Sequence, residues 1–155
     1  MTDTDGSPRA TADAARALVG IAVRSLADAL EHVTLTQYRV LVLVVTDGPT
    51  RSGSLADQVG VHPSSFTRLA DRLVAGGWAV RTENAENRRE VLLGATARGE
   101  ELVAAVMRRR EDEIATVLAH VTPRRRRSIE LGMTAFARAV ETLVASGDLP
   151  PNPEV

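Results

Sequence analysis

The residues whose types and spacing bear on chemistry fall in one short run. Ser64, Ser65, Thr67 and Arg68 lie close together, and Arg72 follows one helical turn later. Hydroxyls both donate and accept hydrogen bonds, and a guanidinium offers a forked set of donors. On one face of a helix these groups have the reach to contact base edges in a DNA groove, and the more distant Arg72 suits a phosphate. The unpaired N–H groups at the start of such a helix can also hold a phosphate. Arg88 and Arg89 form a second small group, in a polar stretch between strand-like residues. An arginine there suits the negative potential of the minor groove. A solvated surface helix has the same composition, so the argument depends on what surrounds the run.

Other chemistries lack their residues. There is no cysteine, which removes disulfides, thiolate metal sites and thiol redox switching. His32, His62 and His120 are far apart in sequence, so no structural metal is expected. The chain shows no carboxylate pair with a reason to be close, no nucleophile with a base and no glycine-rich phosphate loop. It is therefore not expected to be an enzyme or to need a cofactor. No run approaches the roughly 18 apolar residues of a membrane span, and the acidic N-terminus lacks the order of a signal peptide. A cytoplasmic protein without a membrane partner is the expectation.

The 155 residues fit one domain or two intimate ones. With 44% hydrophobic but only 3% aromatic residues, the core must be built from Leu, Val and Ala, which suits helices packed on helices. Net charge is −1, and between Arg51 and Leu93 six arginines face five acidic residues. A positive surface must therefore come from placing the arginines on one face, which a homodimer would double.

The elements that must position these residues follow from periodicity and punctuation. Residues 1–11 are expected to be disordered. A helix over 12–33 carries Leu18, Ala22, Ala29 and Val33 at helical spacing, widened by Ile21, Leu26 and Leu30. That width suits core packing and a dimer contact. Thr34 and Gln37 have capping-box spacing, with Thr36 as a rival cap, and a buried helix should follow over 37–46. A short helix over 54–59, capped by Gly53 or Ser52, leads to Gly60 and a tight turn. The next helix starts near His62 with Pro63 at its first position. It should bury Phe66, Leu69, Ala70 and Leu73 and stop at Gly76-Gly77. Strands over 78–82 and 89–95 around a polar tip make a hairpin. Arg81 would hold that hairpin or meet phosphates, while Glu83, Glu86 and Glu90 would repel DNA unless they pair. A helix over 96–119 has a polar centre, Arg108-Arg109-Arg110, and should leave the small domain. The last helix starts at Thr122-Pro123, carries Ile129, Met133, Phe136, Val140 and Leu143 as a seam, and ends at Gly147. The run Arg124–Arg127 at its start reads as structural or subunit-pairing, because cations there oppose the helix dipole. Residues 148–155 should be a loose tail. The fold class is mainly α with a small β-hairpin wing.

Three blocks in this order carry a resemblance: TLTQYRVL (34–41), SLADQVGVHPSSFTRLADRLVAGGWAVR (54–81) and NRREVLLGATARG (87–99). The sequence resembles the MarR family of winged helix-turn-helix transcriptional regulators from about residue 12 to 143. The resemblance implies a homodimer with helical dimerisation segments over 12–33 and 119–147. It also implies a DNA-binding lobe over 34–95 and a connecting helix over 96–118. By resemblance Ser64, Ser65, Thr67 and Arg68 match the major-groove readers. The family's wing often carries Asp, any residue, then Arg. Laid on Asn87-Arg88-Arg89, that pattern makes Arg89 the minor-groove arginine and Arg88 its neighbour. Asn87 departs from the family's aspartate, and Ala95 stands where leucine is usual. The implied function is a ligand-responsive repressor of a pseudo-palindromic double-stranded operator. Its effector would be a small aromatic or anionic molecule near His32, Tyr38 and Arg39, and cysteine-based peroxide sensing is excluded. A winged-helix module that binds proteins without DNA is the alternative.

Overall fold

Helix α1 spans Pro8–Leu30 in the computed structural model, which describes residues 8–84, 87 and 90–150. The chain is already helical at Pro8, ahead of the predicted start at 12. Residues 8–11 are thus helical and not part of a disordered terminus. The helix stops short of 33, since Thr34 must be extended to cap the next helix, and the Val33 N–H closes the turn onto the Ala29 carbonyl at 3.0 Å. Its buried face is Ile21, Ser25, Leu26 and Ala29. Leu18 and Leu30, expected on the same stripe, stand 42% and 44% exposed.

Helix α2, Leu35–Thr46, is the central element. Its start settles the choice between Thr34 and Thr36. The Thr34 hydroxyl accepts the Gln37 N–H at 3.3 Å, and the Gln37 side-chain oxygen accepts the Thr34 N–H at 2.8 Å. This reciprocal pair satisfies two N–H groups that a helix start otherwise leaves unpaired. Tyr38, Val40, Leu41, Leu43 and Val44 are then buried, so tertiary packing overrides the strand preference of the valines.

The sheet has three strands, not the expected two. β1 (Thr50–Arg51), β2 (Ala79–Glu83) and β3 (Val91–Ala95) are ordered β1-β3-β2, both pairings antiparallel. In register, Thr50 faces Leu93 and Arg51 faces Leu92 on one edge, while Ala79 faces Ala95 and Glu83 faces Val91 on the other. Leu93 is buried and Ala95 half-buried, but Val91, on the same strand beside the tip of the hairpin, is half exposed.

Strand β1 also changes the start of α3, Ser52–Val59. Arg51 is held extended by the sheet, so the helix begins immediately after it. Ser52 and Gly53, the predicted caps, lie inside the helix, and Arg51 precedes it without a side-chain cap bond. Gly60 follows in the left-handed region (φ 70°), which lets the chain turn at once into α4, Pro63–Ala75. Leu55, Ala56, Val59, Phe66, Ala70 and Leu73 join the α2 residues, Leu93 and Trp78 in one apolar cluster.

Two long helices complete the described chain: α5 (Ala97–Ala119) and α6 (Pro123–Ser146). Gly99 of α5 lies where an added Cβ would stand 2.2 Å from the Trp78 carbonyl oxygen, so only glycine permits that approach. Val103 and Val106 reach the same apolar cluster. The chain divides into two units, the first running to Arg110 and the second starting at Glu111. In the second, α6 starts at Thr122-Pro123 as read and ends at Gly147 in the left-handed conformation, but Thr122 makes no side-chain cap bond. No residue of α6 is buried. Among the described residues no helix is long and apolar enough to cross a membrane.

Candidate nucleic-acid interface

Helix α4 owes its position to a cap and an apolar face. His62 is extended (φ −64°, ψ 142°), and its Nδ1 accepts the Ser64 N–H at 3.3 Å. The same nitrogen lies 2.9 Å from the Ser64 hydroxyl. Pro63 fills the first helical position. The sequence shows the proline, but an imidazole cap is not a signal that composition offers. Phe66, Ala70 and Leu73 are buried, and Leu69 is half-buried. The opposite face therefore presents Ser64, Ser65, Thr67, Arg68 and Arg72, all exposed. The Thr67 hydroxyl donates back to the Pro63 carbonyl at 3.1 Å. The five residues singled out in the sequence thus share one exposed helix face.

The hairpin is tied to this helix and to the sheet by two ion pairs. Arg81 on β2 contacts Asp71 on α4 at 2.7 Å. Of the two roles open to Arg81, the structure shows the one that holds the hairpin. Glu90 meets Arg51 Nε at 2.8 Å and accepts from the Asn84 amide at 3.0 Å. Its charge is therefore offset by an arginine on the strand that sequence reading missed. Glu83 stays exposed. Near the tip, the Asn84 N–H donates to the Glu90 carbonyl at 3.0 Å and the Glu90 N–H to Asn87 at 2.8 Å. Arg88 and Arg89, with Glu86, lie outside the described residues.

The root of the hairpin is a stacked cluster. The Arg98 guanidinium lies 3.8 Å from the centre of the Trp78 ring, and His32 stacks on Trp78 at 5.9 Å between centroids. Thr96 donates its hydroxyl to the Gly77 carbonyl at 2.7 Å and accepts the Gly99 N–H at 3.2 Å, so it joins the end of α4 to the start of α5.

The three residues expected near an effector are not gathered in one cavity. A cavity of about 140 Å³ between α1 and α5 is lined by Ser25, Asp28, Ala29, His32, Leu102, Ala105, Val106 and Arg109. Arg109 is paired with Asp28 there. Only His32 of the three lines it. Tyr38 is fully buried in the core, and Arg39 is half-buried on α2. Burial pushes the Tyr38 phenol above its ordinary pKa, against a smaller lowering by the Arg110 charge. Among the described residues the Tyr38 Oη has no hydrogen-bond partner.

A capped helix with an exposed hydroxyl and guanidinium face, a helix and tight turn before it, and a sheet-rooted hairpin after it define a winged helix-turn-helix protein. The MarR family's profile matches residues 33–91. The crystal structure of RV1404 from Mycobacterium tuberculosis superposes with a TM-score of 0.78 at 34% identity, covering 90% of this chain and 95% of that one. The HTH-type transcriptional repressor MdtR of Bacillus subtilis is 29% identical over 72% of each chain. YfiV, an uncharacterized HTH-type transcriptional regulator of the same species, is 24% identical over 70% of this chain and 68% of its own. The chain belongs to the MarR family and is a transcriptional regulator of that family.

Proposed function

We propose that the protein is a ligand-responsive repressor that binds a pseudo-palindromic operator as a homodimer. The observation that carries the reading is the exposed face of α4, where Ser64, Ser65, Thr67 and Arg68 stand free of the core that fixes the helix. In this reading they meet base edges in the major groove, and Arg72 meets the backbone. Arg89, with Arg88 beside it, is assigned to the minor groove on the strength of the wing pattern.

The dimer proposal rests on apolar surface. Leu18, Val19 and Val23 on α1 and Ile129, Met133, Phe136 and Leu143 on α6 are all exposed, Phe136 by 56%. An apolar stripe left exposed along a helix marks an interaction face, and a two-fold contact would pair two copies of the reading helix about 34 Å apart. The effector proposal places a small aromatic or anionic molecule against His32 in the α1–α5 cavity. Tyr38 then acts from the core, as support for α2 and not as a wall of that cavity.

Footprinting across the gene's own upstream region, with affinity followed against salt, tests the reading. A protected palindrome and steep salt dependence are expected. Replacing Arg68 by Ala should cost about 1–3 kcal/mol of discrimination against altered operators. Duplex binding that is absent, or indifferent to salt and to Arg68→Ala, would favour the protein-binding module instead.

A further inference from the structure

We propose that the His32–Trp78 stack carries occupancy of the α1–α5 cavity to the end of α4 and the root of the hairpin, which makes His32 a positioning residue for DNA release. The proposal rests on the effector reading above and names the route by which that site regulates the reading helix.

His32 is the part of the cavity wall that can yield. Arg109 on α5 is paired with Asp28 on α1, and the Arg110 Nε donates to the Ser25 hydroxyl at 3.3 Å, so the two helices are tied together along the cavity. Ala29 and Val106 belong to the buried core. His32 instead follows the last turn of α1 and is exposed. An occupant of the roughly 140 Å³ space therefore meets His32 as the side chain free to move. The His32 ring lies on Trp78 with 5.9 Å between centroids and 29° between planes, within the range of offset stacking.

Trp78 passes a displacement on because its surroundings leave no slack. It is buried. Its N–H donates to the Leu73 carbonyl in the last turn of α4 at 2.9 Å, and its carbonyl accepts the Thr96 N–H at 3.1 Å. The indole lies so close to Gly76 that an added Cβ there would stand 2.6 Å from its Cδ1. The Arg98 guanidinium, 3.8 Å from the ring centre, also donates to the Gly76 carbonyl at 2.9 Å. β2 begins at the next residue, Ala79. The end of α4, the root of the hairpin and the start of α5 thus meet on one side chain. Close-packed groups shift between discrete arrangements and do not deform continuously. A displaced indole therefore moves α4 against the hairpin, the two elements that must engage the duplex together.

The test fills the cavity with a side chain. Ala105 lines it, so Ala105→Leu in the full-length protein acts as a tethered occupant. This variant should bind a duplex from the gene's upstream region about tenfold more weakly than the parent. It should also speed amide hydrogen exchange across residues 73–83, the end of α4 and β2. On a His32→Ala background the same replacement should change neither readout, a coupling measured as the departure from additivity in the double-variant cycle. His32→Phe keeps a ring on Trp78 and should restore both responses, a pattern that a merely structural histidine does not give. Ala105→Met serves if leucine prevents folding. Equal effects of Ala105→Leu with and without His32 would overturn the relay and leave the cavity and the DNA-binding reading standing. Either readout unchanged by Ala105→Leu would overturn it as well. If the parent binds no duplex, the repressor reading falls, and hydrogen exchange alone decides the relay.

Discussion

Tyr38 shows how much one side chain reveals and hides in a sequence. The resemblance sets it with His32 and Arg39 near an effector. The structure buries it completely, with Arg110 as the nearby charge. A buried hydroxyl without a partner is costly, so Tyr38→Phe should raise unfolding free energy by about 1 kcal/mol in a denaturant titration. The pH dependence follows from the raised pKa. In the folded state the phenol keeps its proton beyond the unfolded value of about 10. The stability it contributes is intact below that value and is lost as pH rises through the folded pKa. The chain has one tyrosine, no cysteine and no lysine, so this alkaline decline should vanish in Tyr38→Phe. Gln37 is the converse case. Its cap was legible because Thr34-x-x-Gln37 has a fixed spacing. Its burial was not, since that depends on what the rest of the fold packs around it.

At the scale of elements, long periodic helices and their glycine and proline punctuation were readable, and short pieces were not. Pro63, Gly60, Gly76-Gly77, Pro123 and Gly147 mark boundaries where the sequence places them. β1 escaped because two residues cannot show an alternation, and its partner β3 lies some forty positions away. Missing β1 also misplaced the start of α3, since the strand holds Arg51 extended. The same edge brings Arg51 to Glu90, a pairing that no local pattern announces. The link between hairpin and α4 has a testable character. The Arg81–Asp71 pair is substantially exposed, at 39% and 54%, so Asp71→Asn should change stability by less than about 1 kcal/mol. It should release Arg81 and remove a negative charge beside the reading helix. Affinity for random-sequence DNA should rise, with a salt slope steeper by about 0.9. An unchanged slope would mean that Arg81 stays on the hairpin without its partner.

For the whole molecule, the apolar seam on α6 was legible as periodicity, but its fate was not, because a single chain does not state what covers a helix. Ile129, Met133, Phe136 and Leu143 form no core of their own unit. If a second copy covers them, Phe136→Glu should remove a contact twice in each two-fold interface. Burial of a phenylalanine is worth about 1.5–3 kcal/mol. The dimer dissociation constant should therefore rise by about a hundredfold or more, seen as a shift to monomer in sedimentation velocity at micromolar chain. Helicity should be unchanged. A variant that sediments as the parent does would place the subunit contact elsewhere.

The stacked Trp78 has a further consequence, in spectroscopy. It is the only tryptophan, and with Tyr38, the only tyrosine, it lies in the unit that ends at Arg110. Tryptophan and tyrosine emission from this protein thus originates in the lobe that carries α4 and the hairpin, while the chain beyond Glu111 contributes neither fluorophore. Far-ultraviolet dichroism counts helix in both units. Followed together on one sample, the two signals separate melting of the reading lobe from melting of the rest, without a label or a substitution.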